Sequence, residues 1–260
     1  MRDLKNLNLD NRFPQFLLPL LYYISQIKKF NDLYCRYKST MGWKFADRVL
    51  EYHNVKLSYD QRKMDVVKSH KSLIVIANHP HGILDGLLLL KLFGENGAEN
   101  IKVVANPFVE SIESLAENLI IVNPFEDSKN SPLSFRGCKS VLTAFKEDNY
   151  IVFFPSADVS LFNPKTMKVE DPPWNKTFFK LIEKADRAIL PIYINGRNSV
   201  LYQIFATIHC KLGFLGLIPE FLKKKRECIH IEIGDPVLMN GICKDDLPFY
   251  LRKKVTDLRK

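Results

Sequence analysis

The chain has 260 residues, of which 46% are hydrophobic, and a formal net charge of +9. This length and composition fit one large α/β domain better than two separate domains, and neither an internal repeat nor a low-complexity linker is visible. The five cysteines are widely spaced and never form a C-x-x-C pair, which argues against a disulfide framework and a zinc knuckle. The positive charge favours an anionic partner: a phospholipid headgroup, nucleic acid or a phosphorylated carrier.

The first 60 residues are predicted to form a helical segment that precedes an α/β domain over residues 61–260. Within residues 13–52, apolar side chains recur at steps of three and four: Phe16, Leu17, Leu20, Leu21, Ile24 and Ile27. Such a stripe suits a helix on a membrane surface and equally a helix that packs on the main domain. No uncharged apolar stretch approaches the roughly 20 residues of a spanning helix, and no cleavage pattern follows the apolar run. We expect a cytoplasmic protein that associates peripherally with the membrane.

From residue 73 onward, short apolar runs rich in β-branched residues alternate with segments of helical spacing. The strands are predicted over residues 73–77, 101–105, 119–122, 150–154, 188–194 and 229–233. The helices between them are predicted over residues 87–93, 107–117, 133–147 and 174–185. This alternation is typical of an α/β fold with a mostly parallel central sheet flanked by helices.

Residues 208–226 combine a compact apolar segment with the basic run Lys223–Arg226. A basic end on an apolar helix suits an anionic membrane surface, and the alternative is a core-packing helix with a solvated end. Nucleic acid is not expected as a partner, because the basic residues are not interleaved with exposed aromatic residues.

The segment Asn78–Gly86 directly follows the first predicted strand of the sheet and carries His79, His81 and Asp85. Loops at the carboxyl ends of strands are where α/β proteins hold ligands and catalytic groups. His79 is predicted to be a general base whose ring Asp85 orients. His81 stands four residues before Asp85 and is the alternative base if the segment is helical. Proline and glycine within the loop disfavour a helix there.

Three further polar segments accompany this one: Phe135–Gly137, Phe153–Ser160 and Ile189–Ser199. In order and spacing the four segments resemble the phospholipid and glycerol acyltransferase superfamily, which is marked by H-x4-D, an Arg block, F-P-E-G and a V-P strand. The bacterial hemolysin-like or lyso-ornithine-lipid-type branch is more similar, with N-H-P-x-G-x-x-D-G, F-P-x-G-E-V-S, D-x-x-W and P-x-x-x-x-G-R-N-S. The matching residues are Asn78–Gly86, Phe154–Ser160, Asp171 with Trp174, and Pro191–Ser199.

This resemblance implies acyl transfer from an acyl carrier protein or coenzyme A thioester to a hydroxyl of a lysolipid or glycerolipid-like acceptor. It implies no cofactor besides the thioester, and no metal. It also assigns substrate-binding roles to Arg136, Pro155, Ser156, Asp158, Arg197 and Asn198. Arg136 would hold a phosphate through its planar donor fork, Asp158 would order the acceptor pocket, and Arg197 with Asn198 would contact a headgroup or carrier phosphate.

Simpler roles are open for the same side chains. Arg136 could be a solvated or salt-bridged surface residue, Asp158 a turn carboxylate, and Arg197 with Asn198 polar caps of a turn at Gly196. Asp171 and Trp174 are expected to serve only the start and packing of a helix.

The chain departs from the superfamily pattern in three ways. The spacing from His79 to Asp85 is H-x5-D, one residue longer than H-x4-D. Ala157 stands where F-P-x-G has glycine, a position at which positive φ is expected to be difficult. His81 creates an H-P-H-G string that also resembles the diacylglycerol acyltransferase family.

Two other functions remain open from the sequence. A metal-dependent hydrolase could use His79, His81 and Asp85 as zinc ligands, but it needs further ligands. A membrane-binding or carrier-binding protein with a degraded acyltransferase site is the non-catalytic alternative, and the Ala157 substitution is the change that hints at it.

Overall fold

A computed structural model describes most of the chain: residues 25–98, 100–122, 132–174, 176–185, 187–239, 242–243 and 245–259. The strands in chain order are β1 (Lys56–Ser58), β2 (Leu73–Ala77), β3 (Ile101–Ala105), β4 (Leu119–Ile121), β5 (Tyr150–Phe153), β6 (Leu161–Asn163), β7 (Lys168–Glu170), β8 (Ile189–Ile194) and β9 (Cys228–Ile233). The α-helices are α1 (Ile27–Tyr37), α2 (Gly42–His53), α3 (Asp65–Ser69), α4 (Ile83–Glu95), α5 (Pro132–Ala144), α6 (Lys176–Ile182), α7 (Val200–Ile208), α8 (Cys210–Lys223) and α9 (Leu247–Thr256).

Seven of these strands form one sheet in the order β1-β9-β8-β2-β5-β3-β4. Neighbouring strands are parallel except for β8 and β9, which pair antiparallel. β2, β5 and β8 are buried along their whole length, which explains why they are continuous apolar runs rather than alternating ones. The predicted α/β fold with a mostly parallel sheet is therefore confirmed. β6 and β7 form a separate antiparallel hairpin.

Side chains of β2 alternate between two apolar layers, as the two-residue period of a strand requires. Leu73, Val75 and Ala77 join a layer with α1, α2, α4 and α8 on one face of the sheet. Ile74 and Ile76 join the opposite layer, which is closed by α5, α6 and α9. Both faces of β2 are thus covered by helices, which leaves the ends of the strands as the accessible parts of this region.

The N-terminal helices belong to the same core. Phe30 and Leu33 of α1 and Phe45 and Val49 of α2 are buried in the layer that contains α4. The two helices replace the single helical segment predicted over residues 13–52, and Gly42, with a φ of +61°, stands at the break between them. The apolar stripe from Phe16 to Ile24 lies outside the described residues, and the division at residue 60 stays a prediction.

Other departures from the predicted elements have local causes. The helix predicted over residues 107–117 is two short 3₁₀ helices, Pro107–Ser111 and Glu113–Asn118, because Ile112 between them has an extended ψ of 83°. β1, β6 and β7 were not predicted, because none of their residues is buried and they lack the apolar run that indicates the equally short β4. In the described ranges, no helix combines the length and apolar character needed to cross a bilayer.

Candidate active site

The loop after β2 begins with a residue that is tied to the neighbouring strand. The side chain of Asn78 donates a hydrogen bond from Nδ2 to the carbonyl of Ile194 at 2.9 Å. In return, the backbone N–H of Ile194 donates to Asn78 Oδ1 at 2.7 Å. Because both hydrogen bonds are buried, they fix the point at which the loop leaves the sheet.

Asp85 closes this loop from the first turn of α4. Gly82, with a φ of +74°, precedes the helix and turns the chain into it. The Asp85 oxygen Oδ2 accepts the backbone N–H groups of His81 at 2.9 Å and Gly82 at 3.0 Å. The carboxylate is fully buried, and its position in the first turn lets the helix dipole favour its negative charge. Asp85 therefore both caps α4 and brings a charge beside His79.

The ring of His79 lies between this carboxylate and an aromatic side chain. His79 Nδ1 is 2.9 Å from Asp85 Oδ2, and the histidine side chain is 18% exposed. The contact is close but not aligned as a hydrogen bond, as is common for catalytic pairs without substrate. The ring stacks on Phe154 with a centroid distance of 4.2 Å. The second ring nitrogen, Nε2, therefore lies on the side away from Asp85, where it can take or give a proton.

A second buried carboxylate, Asp171, holds the backbone of His79. Asp171 Oδ1 accepts the N–H of His79 at 3.1 Å and the hydroxyl of Ser160 at 2.5 Å. Its Oδ2 accepts the indole N–H of Trp174 at 3.0 Å. Ser160 also donates its backbone N–H to the His79 carbonyl at 2.8 Å. Burial raises the pKa of Asp171, and the donated hydrogen bonds oppose that shift.

Sequence reasoning left Asp171 and Trp174 without a role in the site. The only sequence signal was the D-x-x-W match itself, which says nothing about contact with a residue 92 positions earlier in the chain. In the structure, Asp171, Ser160 and Trp174 form one hydrogen-bonded group under the histidine loop. This group can set the position of His79 without touching a substrate.

His81 is turned away from the site that His79 borders. Its side chain is buried, and Nε2 lies 2.9 Å from the carbonyl oxygen of Asn195. A Cβ added at Gly196 would come within 2.6 Å of the His81 ring, so the glycine makes room for this packing. Burial lowers the pKa of His81, which favours the neutral ring. Residues 79–82 are not helical. The hydrogen bond of the His81 ring is to the Asn195 carbonyl, and the charge of Asp85 acts on the ring only as a weaker effect that opposes the lowering of its pKa by burial.

A cavity of about 600 Å³ lies beside His79, within the size range of small-molecule and lipid-binding pockets. Among the described residues, its lining is mostly apolar. It includes Phe30 and Leu33 of α1, Leu87 and Leu90 of α4, Phe108, Leu115, Tyr202 and Ala206 of α7, and Phe214, Leu217 and Phe221 of α8. His79 and Asp158 bring ionisable groups to this apolar wall. An apolar chain with one reacting polar end would match such a lining.

The turn after β5 contributes the other wall near His79. Asp158 lines the cavity, and burial of its carboxyl raises its pKa while the nearby His79 opposes that shift. Ser156 is buried and donates its hydroxyl to the Asp158 carbonyl at 2.7 Å, and Pro155 is also buried. Ala157 lines the cavity with a φ of +58°. The chain therefore adopts here the left-handed conformation that glycine would take without strain.

Of the predicted substrate-binding residues, Asp158 lines the cavity, whereas Pro155, Ser156, Arg136, Arg197 and Asn198 do not line it within the described part of the chain. Arg136 is exposed on α5, where the next residue, Gly137, packs against Ile121 and Val122 at the end of β4. Arg197 is exposed, and its carbonyl accepts a hydrogen bond from Lys224 Nζ at 2.9 Å. Asn198 is buried. Their roles in binding substrate stay predictions.

A family model described as Acyltransferase matches residues 7–260. The protein belongs to this acyltransferase family. The assignment to the phospholipid and glycerol acyltransferase superfamily is thereby confirmed, whereas the hemolysin-like branch within it stays a prediction. Of the residues matched by resemblance, His79 and Asp158 line one cavity, and the buried Asp85 contacts His79 from behind the cavity wall.

Two curated relatives of this acyltransferase are both named lyso-glycine lipid O-acyltransferase. The protein from Phocaeicola vulgatus is 25% identical over 252 residues, which cover 94% of this chain and 87% of the relative. The protein from Bacteroides thetaiotaomicron is 23% identical over 252 residues, covering 94% and 89%. Among solved structures, the 1-acyl-sn-glycerophosphate (LPA) acyltransferase PlsC from Thermotoga maritima matches with a TM-score of 0.54 and 16% identity. The match covers 83% of this chain and 76% of PlsC and shows a shared fold.

The metal-dependent alternative needs a group of ligands around the two histidines. Within the described ranges, no group of three or more His, Cys, Asp and Glu side chains could hold a metal ion. His79 and His81 have separate partners, Asp85 and the Asn195 carbonyl. His230 contacts Ser58 and Glu232 on β1 and β9. In the part of the molecule that is described, His79, His81 and Asp85 therefore do not form a metal-ligand arrangement.

Proposed function

We propose that this acyltransferase moves a fatty acyl group from an acyl carrier protein or coenzyme A thioester to a hydroxyl of a lysolipid acceptor, with His79 as the general base. The observation that carries the proposal is the His79–Asp85 contact of 2.9 Å at the wall of a mostly apolar cavity of about 600 Å³. The hydroxyl of the acceptor needs a base to take its proton. The apolar chains of the donor and the acceptor need an apolar cavity.

The reaction needs one base and no covalent intermediate on the protein. The acceptor hydroxyl gives its proton to His79 Nε2 as its oxygen attacks the thioester carbonyl carbon. The C–O bond forms, the C–S bond breaks, and the departing thiolate takes the proton back from the imidazolium. Asp85 stabilises the imidazolium through Nδ1 and keeps the neutral ring in the tautomer that leaves Nε2 free to accept.

The lysolipid acceptor is supported by the names of the relatives. Two are named lyso-glycine lipid O-acyltransferases. Within the proposed mechanism, Asp158 and the backbone around Pro155 and Ser156 order the acceptor, and Arg136, Arg197 and Asn198 contact a headgroup or a carrier phosphate. The acyl chain is held by the apolar wall. The protein acts at the cytoplasmic face of a membrane.

The test is turnover with purified protein. Acyl carrier protein and coenzyme A thioesters are offered separately with a panel of lysolipids, including a lyso-glycine lipid and lysophosphatidate, and thiol release and acylated product are measured together. We expect product with at least one lysolipid, equal amounts of thiol and product, and no product with His79→Ala. Thiol release without acylated lipid would indicate a thioester hydrolase. No thiol release with any pair would indicate a non-catalytic binding protein.

A further inference from the structure

The two faces of helix α7 lie in different environments. On the inward face, Tyr202 and Ala206 line the cavity. The outward face consists of five apolar side chains that are 45% to 67% exposed: Val200, Leu201, Ile204, Phe205 and Ile208. Their spacing places them on one side of the helix. Exposed apolar side chains are ordinary when they are scattered singly over a surface. A contiguous apolar face of this kind indicates an interaction site.

The hairpin of β6 and β7 extends this outward face. Phe162 in β6 is 40% exposed, and its backbone N–H donates to the Gln203 side chain of α7 at 2.9 Å. The hairpin is thereby attached to the helix. Met167, which is 74% exposed, lies between the exposed residues Lys165 and Lys168 in the turn of the same hairpin.

Basic side chains gather at the start of α7. Two hydrogen bonds from Ser199 to Glu220, at 2.8 and 2.7 Å, join the start of α7 to the end of α8. The exposed residues Arg197, Lys225 and Arg226 therefore lie at the same end of the helix pair. Glu220 is buried in these hydrogen bonds, and the partly exposed carboxylate of Glu227 pairs with Lys224 at 3.4 Å, so the exposed cations outnumber the exposed carboxylate at this end. An apolar face flanked by cations complements an anionic lipid surface.

We infer that the outward face of α7, together with Phe162, is the surface that enters the headgroup region of an anionic bilayer. The inference rests on the proposed function, because a lysolipid acceptor resides in a membrane. α7 has nine residues and is about 14 Å long, so it lies in the plane of the membrane instead of crossing it. Since its inward face lines the cavity, docking brings the cavity wall against the source of the acceptor.

The test is binding of the full chain to sedimenting vesicles of phosphatidylcholine and phosphatidylglycerol. The double variant Leu201→Glu/Phe205→Glu is compared with Phe249→Glu, which makes the same kind of change at a 75% exposed apolar residue of α9. We expect the double variant to lose at least about tenfold in vesicle partitioning and Phe249→Glu to bind like the wild type. Binding should also weaken as salt is raised.

Activity separates the docking surface from the active site. The double variant should acylate a detergent-dispersed lysolipid like the wild type and lose rate only with vesicle-embedded acceptor. An unchanged melting temperature is the folding control.

Unchanged vesicle binding by the double variant would overturn the inference and direct attention to residues 1–24. A loss of self-association without loss of vesicle binding would assign the face to a second copy of the chain. If the wild type acylated no lysolipid while its vesicle binding still depended on α7, the docking surface would stand and the proposed function would fail.

Discussion

The two histidines of the loop after β2 are separated by one residue but lie in different environments. His79 borders the cavity, contacts Asp85 and stacks on Phe154. His81 is buried against Gly196, and its ring faces the carbonyl of Asn195. Asp85 interacts with the ring of one histidine and with the backbone N–H of the other. The same carboxylate thus lies beside the candidate base and fixes the loop that carries it, which the spacing of the residues alone does not show.

The largest expected effect is on the rate of the His79→Ala variant. Removal of the base should lower kcat about 10²–10⁴-fold while the melting temperature stays near that of the wild type, because the side chain borders the cavity. His81→Gln, which can still donate to the Asn195 carbonyl, should keep most of its rate. Steady-state kinetics of both folded variants tests this difference. A large loss in His81→Gln with normal activity in His79→Ala would reverse the assignment.

Asp85→Asn separates the two functions of the carboxylate. The amide oxygen can still accept the N–H groups of His81 and Gly82, but the charge beside His79 is gone. We expect kcat to fall about 10²-fold or more with a small change in stability. Asp158→Asn is the control, because Asp158 lines the cavity without capping α4, and it should mainly raise KM for the acceptor. Equal losses of kcat in both variants would contradict the proposed role of Asp85.

Asp171→Asn tests the hydrogen-bonded group under His79. Asparagine cannot accept all of the bonds from His79, Ser160 and Trp174, so the free energy of unfolding should fall by about 1–3 kcal/mol. As a positioning residue, it should also lower kcat more than it changes KM. Trp174→Phe removes only the indole bond and should have a smaller effect on both. A loss of stability at unchanged kcat would restrict Asp171 to a structural role.

The buried His81 should make stability depend on pH. Its pKa is lowered from 6.5 in the folded state, so below about pH 6.5 the unfolded chain binds the proton more readily. The stability that the neutral His81 ring contributes is fully present above this pH and is lost as the pH falls through the folded-state pKa. Urea unfolding between about pH 7 and pH 5 should show a shallower decrease for His81→Gln than for the wild type. Equal slopes would mean that His81 is not held neutral.

The smallest expected effect is at Ala157, where a side chain stands at a φ of +58°. Ala157→Gly relieves the left-handed strain, partly offset by the greater freedom of glycine in the unfolded chain. We expect a gain of up to about 1 kcal/mol in the free energy of unfolding, measured by urea denaturation, at near-normal activity. Ala144→Gly in α5 is the control and should destabilise the protein. A loss of stability in Ala157→Gly would show that the turn is not strained.

Much of the fold was predictable because its central strands are buried on both faces. The six predicted strands agree with the observed ones within one residue at each end, since continuous apolar runs indicate such strands directly. The strands β1, β6 and β7 have no buried residue, so they lack the apolar run that indicates the equally short β4. The segment 107–117 has helical composition, but the backbone of Ile112 divides it. The local sequence therefore indicated the strands that are buried on both faces. It did not indicate the short strands and the 3₁₀ helices, whose formation depends on contacts with distant parts of the chain.

The sequence by itself determined that His79, His81 and Asp85 follow a buried strand, and that Ala157 stands in a turn after another. Only the tertiary structure decided which histidine borders the cavity, that Asp171 supports His79 from 92 residues away, and that α1, α4, α7 and α8 enclose an apolar space. The physical reason is that periodicity records whether a residue is buried. Which distant residues meet depends on strand order and on how the helices cross the sheet.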